Sequence, residues 1–375
     1  MMYYLLKRLI RPRDERERAV KNLIALRKQL DREIPGKDLG GHLLLATWNI
    51  RDFGRTGNRW GYGKRIRESH FYIAEVLSRF DVVAVQEVNK LDELETVMEI
   101  LGPDYEYIAT DRDTNVGAND ERMAFIWDKR KVRFQHIAGE IVLPDSMLIS
   151  KVRLDTGSGK KVNAGKQFRR SPFVVTFQSG WLKFDLCTVH IYYGDDDEDS
   201  EKLQERVEEI DRIAKWLSKR ADKDLKDNKA LILLGDFNIV NPNHKTMDAL
   251  LDSGFTVPEV LRKRSNVKSD MYYDQIAFKT DSLTIDYIEA ASAEDTVAGV
   301  FNIFQNVMKP SQAGDYLEEM KETTGAAGKT DDELKGAYFK KWRTYQFSDH
   351  MPLWVRLRTD SSEAYLKRMQ EDLTD

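Results

Sequence analysis

Short apolar runs, separated by turns or by helical segments, recur along the chain from Leu43 onward and constrain its fold more than any other feature. They are LLLATWNI, VVAVQEV, MAFIW, FVVTF, LCTV, LILLG and MPLWVRL. Runs of this length, bounded by turns, are typical of buried strands. Because strands alternate here with helical segments, the pattern predicts an α/β fold with many strands.

Apolar residues at helical spacing predict helices over 13–32, 64–80, 91–101 and 199–220. The apolar positions of the first helix are Val20, Leu23, Leu26 and Leu30. Those of the last form one stripe after an N-cap at Asp199 or Ser200, namely Leu203, Val207, Ile210, Ala214 and Leu217. The stretch PGKDLGG (35–41) ends the first helix, which looks like an appendage to the α/β part.

The 375-residue chain has a net charge of −4, so no overall positive field draws it to nucleic acid. Any polyanionic substrate must be held by local positive charge or by a metal ion. Cys187 is the single cysteine, which excludes an intrachain disulfide. The apolar start MMYYLLKRLI is too short for a secretory signal or a membrane span. We therefore expect a cytoplasmic protein without stable membrane association.

Polar side chains interrupt or follow most of the apolar runs. The set comprises Asn49, Glu87, His190, Asp236 and Asn238 at strand ends, Asp274 in YYDQIAF, and Asp349 and His350 before the final strand. Each alone has a structural alternative, as a turn cap or as a buried histidine with a partner. Since strand ends gather on one edge of layered α/β folds, their coincidence predicts a functional site at that edge.

Metal-assisted attack on a phosphate ester is the chemistry that suits this set. Carboxylate and amide oxygens such as those of Glu87, Asp349 and Asn49 suit a hard cation, Mg²⁺ or Mn²⁺. Histidines oriented by carboxylates can pass protons to a water and to a leaving oxygen. The sequence has no GxSxG elbow and no GxxxxGK[ST] loop, so a serine hydrolase and an NTP-driven phosphoryl transferase have no support.

Several pieces of the chain, in this order, resemble the endonuclease/exonuclease/phosphatase superfamily, and within it the pancreatic deoxyribonuclease type. They span about residues 43–358 and are WNIRDFG, DVVAVQEV, ERMAFIW, FRRSPFVVTF, the strand ending in His190, LLGDFN, YDQIAF and SDHMP. The resemblance implies a four-layer α/β sandwich, with two mixed β-sheets packed face to face and helices outside. It also implies a divalent-metal phosphodiesterase or phosphomonoesterase.

The resemblance assigns roles to individual residues. It implies Glu87 as the principal metal ligand, helped by Asn49 and Asp349. Two histidine–carboxylate pairs are implied, His350 with Asp274 and His190 with Glu121. Asp236 and Asn238 would position the phosphate and the attacking water, and Arg170 and Arg51 would contact phosphate.

On this basis we divide the chain into an N-terminal helical extension (1–41), a catalytic domain (42–359) and a C-terminal tail (360–375). A mostly helical insertion is predicted at about 290–345. Asn119 and Asn89 stand where the pancreatic type has a tyrosine that enters the DNA minor groove and an arginine, so a preference for duplex DNA is not implied.

Three charged or aromatic stretches have two interpretations each. The basic loop 51–67 either contacts several phosphates or is a solvated loop and helix start. The acidic stretch GDDDEDSE (194–201) is either a solvated helix N-terminus or a second cation site. In YFKKWRTYQF (338–347), aromatic residues either stack on unpaired bases or pack on the core.

The leading functional hypothesis is a metal-dependent nuclease that hydrolyses DNA or RNA by in-line attack of water, with nucleic acid as substrate and no protein partner implied. The alternative is a phosphatase that acts on a small phosphoester, such as an inositol or nucleotide phosphate. A third hypothesis is a catalytically inactive binding module.

Overall fold

The computed structural model describes residues 1–55, 64–112, 119–155, 161–224, 229–279 and 296–373. The strands are β1 (His42–Phe53), β2 (Val82–Val88), β3 (Tyr105–Ala109), β4 (Arg122–Asp128), β5 (Arg133–Glu140), β6 (Ile149–Asp155), β7 (Lys161–Lys166), β8 (Phe173–Ser179), β9 (Leu182–His190), β10 (Lys229–Asp236), β11 (Asp274–Lys279), β12 (Ala298–Val300) and β13 (Leu353–Arg358). The α-helices are α1 (Leu6–Leu9), α2 (Arg13–Glu33), α3 (Arg67–Leu77), α4 (Leu91–Leu101), α5 (Glu201–Asp224), α6 (Lys245–Leu251), α7 (Leu317–Lys321), α8 (Asp331–Ala337), α9 (Arg343–Gln346) and α10 (Ser362–Asp372).

Two mixed sheets form the centre of the molecule. The first has the strand order β12-β13-β1-β2-β4-β3 and the second β11-β10-β9-β8-β5, while β6 and β7 form a separate hairpin. In the first sheet β1 is parallel to β2 and antiparallel to β13. In the second, β10 is parallel to β9 and antiparallel to β11. Both sheets therefore place a parallel pair at their centre.

Alternate side chains of β1 belong to two different cores, which defines the layers. Leu43 and Leu45 pack in the core shared with the second sheet, whereas Leu44 and Ala46 pack in the core under α2, α3, α4 and the insertion. Helices α5 and α6 pack against the second sheet. The predicted four-layer α/β sandwich of two mixed sheets is confirmed.

Helix α2 is part of the structure rather than an appendage. It buries Ala19, Leu23, Leu26 and Leu30 against the first sheet's outer core, whereas Val20, predicted on the buried face, is 39% exposed. The buried stripe therefore includes Ala19 instead of Val20. Residues 296–345 are mostly helical, as predicted, but β12 adds an edge strand to β13. The start of the predicted insertion lies outside the described residues.

The aromatic residues at the end of the insertion mostly pack inside. Tyr338 is fully buried and Trp342 is 1% exposed, and both rings stack with Tyr316 or with each other. The packing interpretation of this stretch is thus correct for these two residues. Among the helices of the described ranges, none combines the length and apolar character that crossing a bilayer requires.

Candidate active site

The register of the second sheet brings predicted site residues to one edge. Asp236, the last residue of β10, is paired with His190 at the end of β9 and with Asp274 at the start of β11. The preceding Gly235 has φ of 138°, and a Cβ there would lie 2.1 Å from the carbonyl oxygen of Val189. Only glycine permits this close approach, which lets the LLGDFN turn place Asp236 beside both neighbouring strands.

His350 and Asp274 form the first histidine–carboxylate pair. His350 Nδ1 donates to Asp274 Oδ2 at 2.8 Å, and the hydroxyl of Ser265 donates to the same oxygen at 2.6 Å. Asp274 is fully buried. Although burial alone lowers the pKa of His350, the charges of Asp274 and Asp236 hold it well above its ordinary value. These carboxylates therefore favour the protonated imidazole.

His190 and Glu121 form the second pair, which is arranged differently. His190 Nδ1 lies 2.6 Å from Glu121 Oε1, at ion-pair distance but outside good hydrogen-bond angles. The same carboxylate oxygen contacts the guanidinium of Arg170. Burial and then Arg170 lower the pKa of His190, whereas Glu121 and Asp236 raise it, with a net rise. Glu121 thus divides its charge between an imidazole and a guanidinium.

Asp236 connects the two pairs. Its Oδ2 lies 3.6 Å from His190 Nε2 and 3.7 Å from His350 Nε2. Asn49 Nδ2 donates to the same oxygen at 3.0 Å, and the backbone N–H of Asn238 donates to Oδ1 at 3.0 Å. Both imidazoles therefore face one oriented carboxylate, which is the arrangement needed to pass protons to and from a bound water.

Asn238 is held by the backbone around it. It has φ of 53°, its Nδ2 donates to Ile191 O at 2.8 Å, and its carbonyl accepts from Arg206 Nη1 at 2.8 Å. Arg206 is fully buried and also pairs with Asp196 of the acidic stretch at 3.0 Å. Part of that stretch is therefore charge-balanced and supports the loop that carries Asn238.

Glu87 and Asn49 suit a divalent cation. Glu87 sits at the end of β2 with φ of 63°, and its carboxylate accepts from Asn49 Nδ2 at 2.9 Å and from the N–H of Asp52 at 2.7 Å. Burial alone would raise the pKa of Glu87, but His190 and these donors lower it to about 2. Asn49 Oδ1 is buried and has no hydrogen-bond partner within the described ranges. An ionised carboxylate beside an unpartnered amide oxygen fits Mg²⁺ or Mn²⁺.

A second donor set overlaps the first. Glu87, Glu121 and His190 each offer an atom, and these atoms all lie within 4.8 Å of one another. Asp349, expected to help Glu87, is paired with Arg51, whose Nη1 lies 3.0 Å from Asp349 Oδ2, and it is also close enough for the charge of Glu87 to act on it. Glu87 belongs to both sets.

Arg51 is held by the insertion. Its guanidinium donates to Thr344 Oγ1 at 2.8 Å and to Tyr345 Oη at 2.9 Å, and it lies over the Tyr345 ring at 3.8 Å. Arg170, the other predicted phosphate contact, is buried at Glu121. Both arginines lie at the site, and both already have carboxylate partners there.

Sequence reasoning missed the residues that support this site. Ser265 holds Asp274, while Ser348 Oγ donates to Asn49 O at 2.6 Å and accepts from the N–H of His350 at 3.0 Å. Ser348 is the serine of the SDH motif itself, which was a usable signal. Ser265 lies in a loop without periodicity, and nothing in the sequence distinguished it.

The basic loop 51–67 lies partly outside the described residues, at 56–63. In its described part, Arg55 pairs with Asp52 at 2.9 Å, and the buried Arg65 donates to the carbonyls of Arg51, Gln346 and Phe347. These cations support the loop's own fold. Asn119 and Asn89 contact each other, since Asn89 Nδ2 donates to Asn119 O at 3.2 Å.

A curated protein named "Deoxyribonuclease", from Thioalkalivibrio sp. (strain K90mix), is 28% identical over 210 residues, which are 54% of this chain and 47% of that protein. The chain resembles the endonuclease/exonuclease/phosphatase superfamily. Its motifs, its sandwich fold and this relative confirm the predicted resemblance. The chain spans about half the length of the curated relative. No family model matches the chain.

Several solved structures match most of the chain at low identity. An endonuclease/exonuclease/phosphatase family protein from Bacteroides thetaiotaomicron is 19% identical, with a TM-score of 0.48 over 85% of this chain and 98% of its own. A mannosyl-6-phosphatase from B. thetaiotaomicron VPI-5482 is 18% identical, with a TM-score of 0.48 over 84% and 99%. The human Nocturnin catalytic domain with bound sulfate is 13% identical, with a TM-score of 0.46 over 84% and 94%.

Proposed function

We propose that the chain is a divalent-metal-dependent phosphodiesterase that hydrolyses DNA or RNA. The observation that carries the proposal is the position of Asp236 Oδ2 between two imidazoles, 3.6 Å from His190 Nε2 and 3.7 Å from His350 Nε2. Paired imidazoles around one carboxylate suit a reaction in which one oxygen loses a proton while another gains one. The name of the curated relative, Deoxyribonuclease, supports a nuclease.

In this reaction the residues of the chain orient water and move protons. Asp236 and Asn238 orient the attacking water opposite the leaving oxygen. One histidine accepts a proton through its Nε2, and the other donates a proton to the leaving oxygen. Asp274 and Glu121 keep the two rings in place through their Nδ1 atoms. Arg170 and Arg51 contribute positive charge to the phosphate during the attack.

Glu87 and Asn49 would hold the metal ion, with Asp349 or Glu121 as a further ligand. When bound, such an ion supplies a Lewis acid that stabilises negative charge on the phosphate oxygens. Asn49 also donates to Asp236 and to Glu87, so the residues that would hold the ion and those that would move protons share one hydrogen-bond network.

The proposal is tested by a substrate panel with Mg²⁺ or Mn²⁺ and with EDTA. The panel contains plasmid DNA, single-stranded DNA, RNA and a phosphomonoester, each assayed for initial rate. We expect hydrolysis of the polynucleotides, abolished by EDTA. Hydrolysis of the phosphomonoester alone would instead establish the small-molecule phosphatase, and inactivity on every substrate would favour the binding module.

A further inference from the structure

A cleft lies between the insertion and the loop that precedes β11. Its volume is about 410 Å³, within the range of about 300–1,000 Å³ that is typical of ligand sites. The residues around it include Arg264, Val267, Phe304, Pro310, Arg343 and Met351. Among the described residues that line it there are two arginines and no acid. The cleft is therefore positively charged although the chain as a whole is acidic.

Arg343 is an unusual buried cation. It is 6% exposed, its Nη1 donates to Met308 O at 3.3 Å, and its Nε is buried without a hydrogen-bond partner in the described ranges. Within those ranges no carboxylate forms an ion pair with it. Two aromatic rings lie beside it, with Cζ 4.4 Å from the Phe304 centroid and 4.5 Å from that of Phe339. The rings hold the guanidinium but accept no strong hydrogen bond from it.

Two other buried arginines are better satisfied. Each of them also has one buried nitrogen without a partner in the described ranges, Nε of Arg206 and Nη1 of Arg65. However, Arg206 pairs with Asp196 at 3.0 Å, and Arg65 donates to three backbone carbonyls at 2.8 to 3.3 Å. Burying a guanidinium is costly unless its donors and charge find partners. Among the residues that the structure describes, Arg343 has one carbonyl acceptor at 3.3 Å and no carboxylate partner. An anionic group in the cleft would supply the partner that this residue lacks.

The cleft adjoins the candidate active site through its own walls. Met351 directly follows His350 in sequence, and the N–H of Val267 donates to Asp349 O at 2.8 Å. Arg264 precedes Ser265, which holds Asp274. The loop before β11 and the segment before β13, which shape the cleft, thus lead directly to the residues of the first histidine–carboxylate pair.

We propose that the cleft at Arg264 and Arg343 is a second phosphate subsite, which binds a non-scissile phosphate of a nucleic-acid strand whose scissile phosphate lies at Asp236. This inference rests on the proposed function for the identity of the strand. The two arginines supply the positive charge, and the aromatic rings fix the plane of one guanidinium so that its donors are ready for phosphate oxygens.

The test compares Arg264→Gln with Lys263→Gln, which removes one positive charge from the neighbouring residue that does not line the cleft. Binding of a fluorescein-labelled single-stranded octanucleotide is measured by anisotropy in EDTA, which prevents turnover, over a series of salt concentrations. Each phosphate contact on a single strand contributes about −0.7 to the slope of log K against log salt. We expect Arg264→Gln to make the slope shallower by about 0.7 and Lys263→Gln to leave it unchanged.

Kinetics with Mg²⁺ separate the subsite from the catalytic site. Arg264→Gln should raise KM for the octanucleotide about tenfold and leave KM for bis(p-nitrophenyl) phosphate, which has a single phosphate, unchanged. Arg264→Lys, which keeps the charge, should restore most of the octanucleotide affinity. Arg343→Gln should reproduce the effect of Arg264→Gln. Because Arg343 is buried, Arg343→Gln could fail to fold, and the exposed Arg264 then remains the decisive position.

The outcomes distinguish this inference from the proposed function. If wild type hydrolyses the octanucleotide but Arg264→Gln and Lys263→Gln bind it with equal slopes, the subsite is wrong and the function stands. If wild type hydrolyses no phosphodiester but the slopes differ as expected, the cleft binds a phosphate of the strand and the proposed hydrolysis is wrong. Calorimetry can also detect binding of inorganic phosphate to the cleft. If Arg264→Gln abolishes this binding but leaves octanucleotide binding unchanged, the cleft is a site for free phosphate and not for a nucleic-acid strand.

Discussion

The two histidine–carboxylate pairs share one purpose in the proposed reaction but differ in what surrounds their carboxylates. Asp274 is held by the hydroxyl of Ser265 and faces His350, so its charge acts mainly on that imidazole. Glu121 is shared between His190 and Arg170, and Arg170 also opposes a positive charge on His190. Two similar pairs in one site therefore need not hold protons equally. Burial opposes a raised pKa at both imidazoles, and at His190 the charge of Arg170 opposes it as well.

The largest expected effect comes from removing either imidazole. His350→Ala and His190→Ala should each lower kcat for phosphodiester hydrolysis by about 10²–10⁴-fold, because each ring moves a proton in the same step. The double variant should fall well short of the product of the two losses, since residues that act as a unit are not additive. Initial rates on purified, folded variants measure this. Losses that multiply cleanly would mean that the two pairs work independently.

Glu87 lies 3.9 Å from His190 Nε2. Substituting it therefore tests the carboxylate that would bind the metal ion next to the second pair. Glu87→Gln keeps the shape of the side chain but removes the charge that would bind the cation, and should lower kcat by about 100-fold. The apparent metal affinity, from activity titrated with Mg²⁺, should fall in parallel. A variant with a normal rate and a wild type that works in EDTA would contradict the metal role.

Breaking the support of the first pair should have a smaller effect. Ser265→Ala removes a hydrogen bond to the charged Asp274, worth about 1.5–3 kcal/mol, and should lower kcat by about tenfold. The matched control is Ser146→Ala, an exposed serine in the turn before β6, away from the site and from the cleft. Equal rates for the two variants would show that Asp274 orients His350 without Ser265.

The smallest effect on activity is expected at Glu68, a buried carboxylate far from both pairs in sequence. It faces Arg18 at 3.0 Å, with Glu319, Tyr316 and Tyr72 around it, and burial raises its pKa from 4.5 to about 7. Because the folded pKa exceeds the unfolded one, the stabilising contribution is complete below about pH 4.5 and is lost as pH rises through about 7. Urea unfolding across this window should therefore show a fall in wild-type stability that Glu68→Gln lacks. Parallel profiles for the two proteins would refute it.

Much of the fold was predictable because burial leaves a periodic signal. The apolar runs predicted the central strands. The polar residues at the ends of these runs, Asn49, Glu87, His190 and Asp236, were predicted to lie together at one edge. Strand β5 was missed because most of its side chains are exposed and it carries no apolar pattern. The partners of Arg51 were missed for another reason, since Thr344 and Tyr345 are almost 300 residues away and side-chain contacts across such distances leave no local pattern.

The close packing of helix α2 against the insertion has a consequence for how the chain is made. Gln312 Nε2 donates to Asn22 Oδ1 at 3.0 Å across 290 residues, and Arg18 pairs with Glu319 across 301. Strand β1 likewise pairs with β13, the last strand of the chain. During synthesis from the N-terminus, α2 and β1 can pack early on α3 and β2, but their surfaces that face the insertion and β13 stay uncovered until most of the polypeptide has left the ribosome. Closing contacts of such high sequence separation also slows folding.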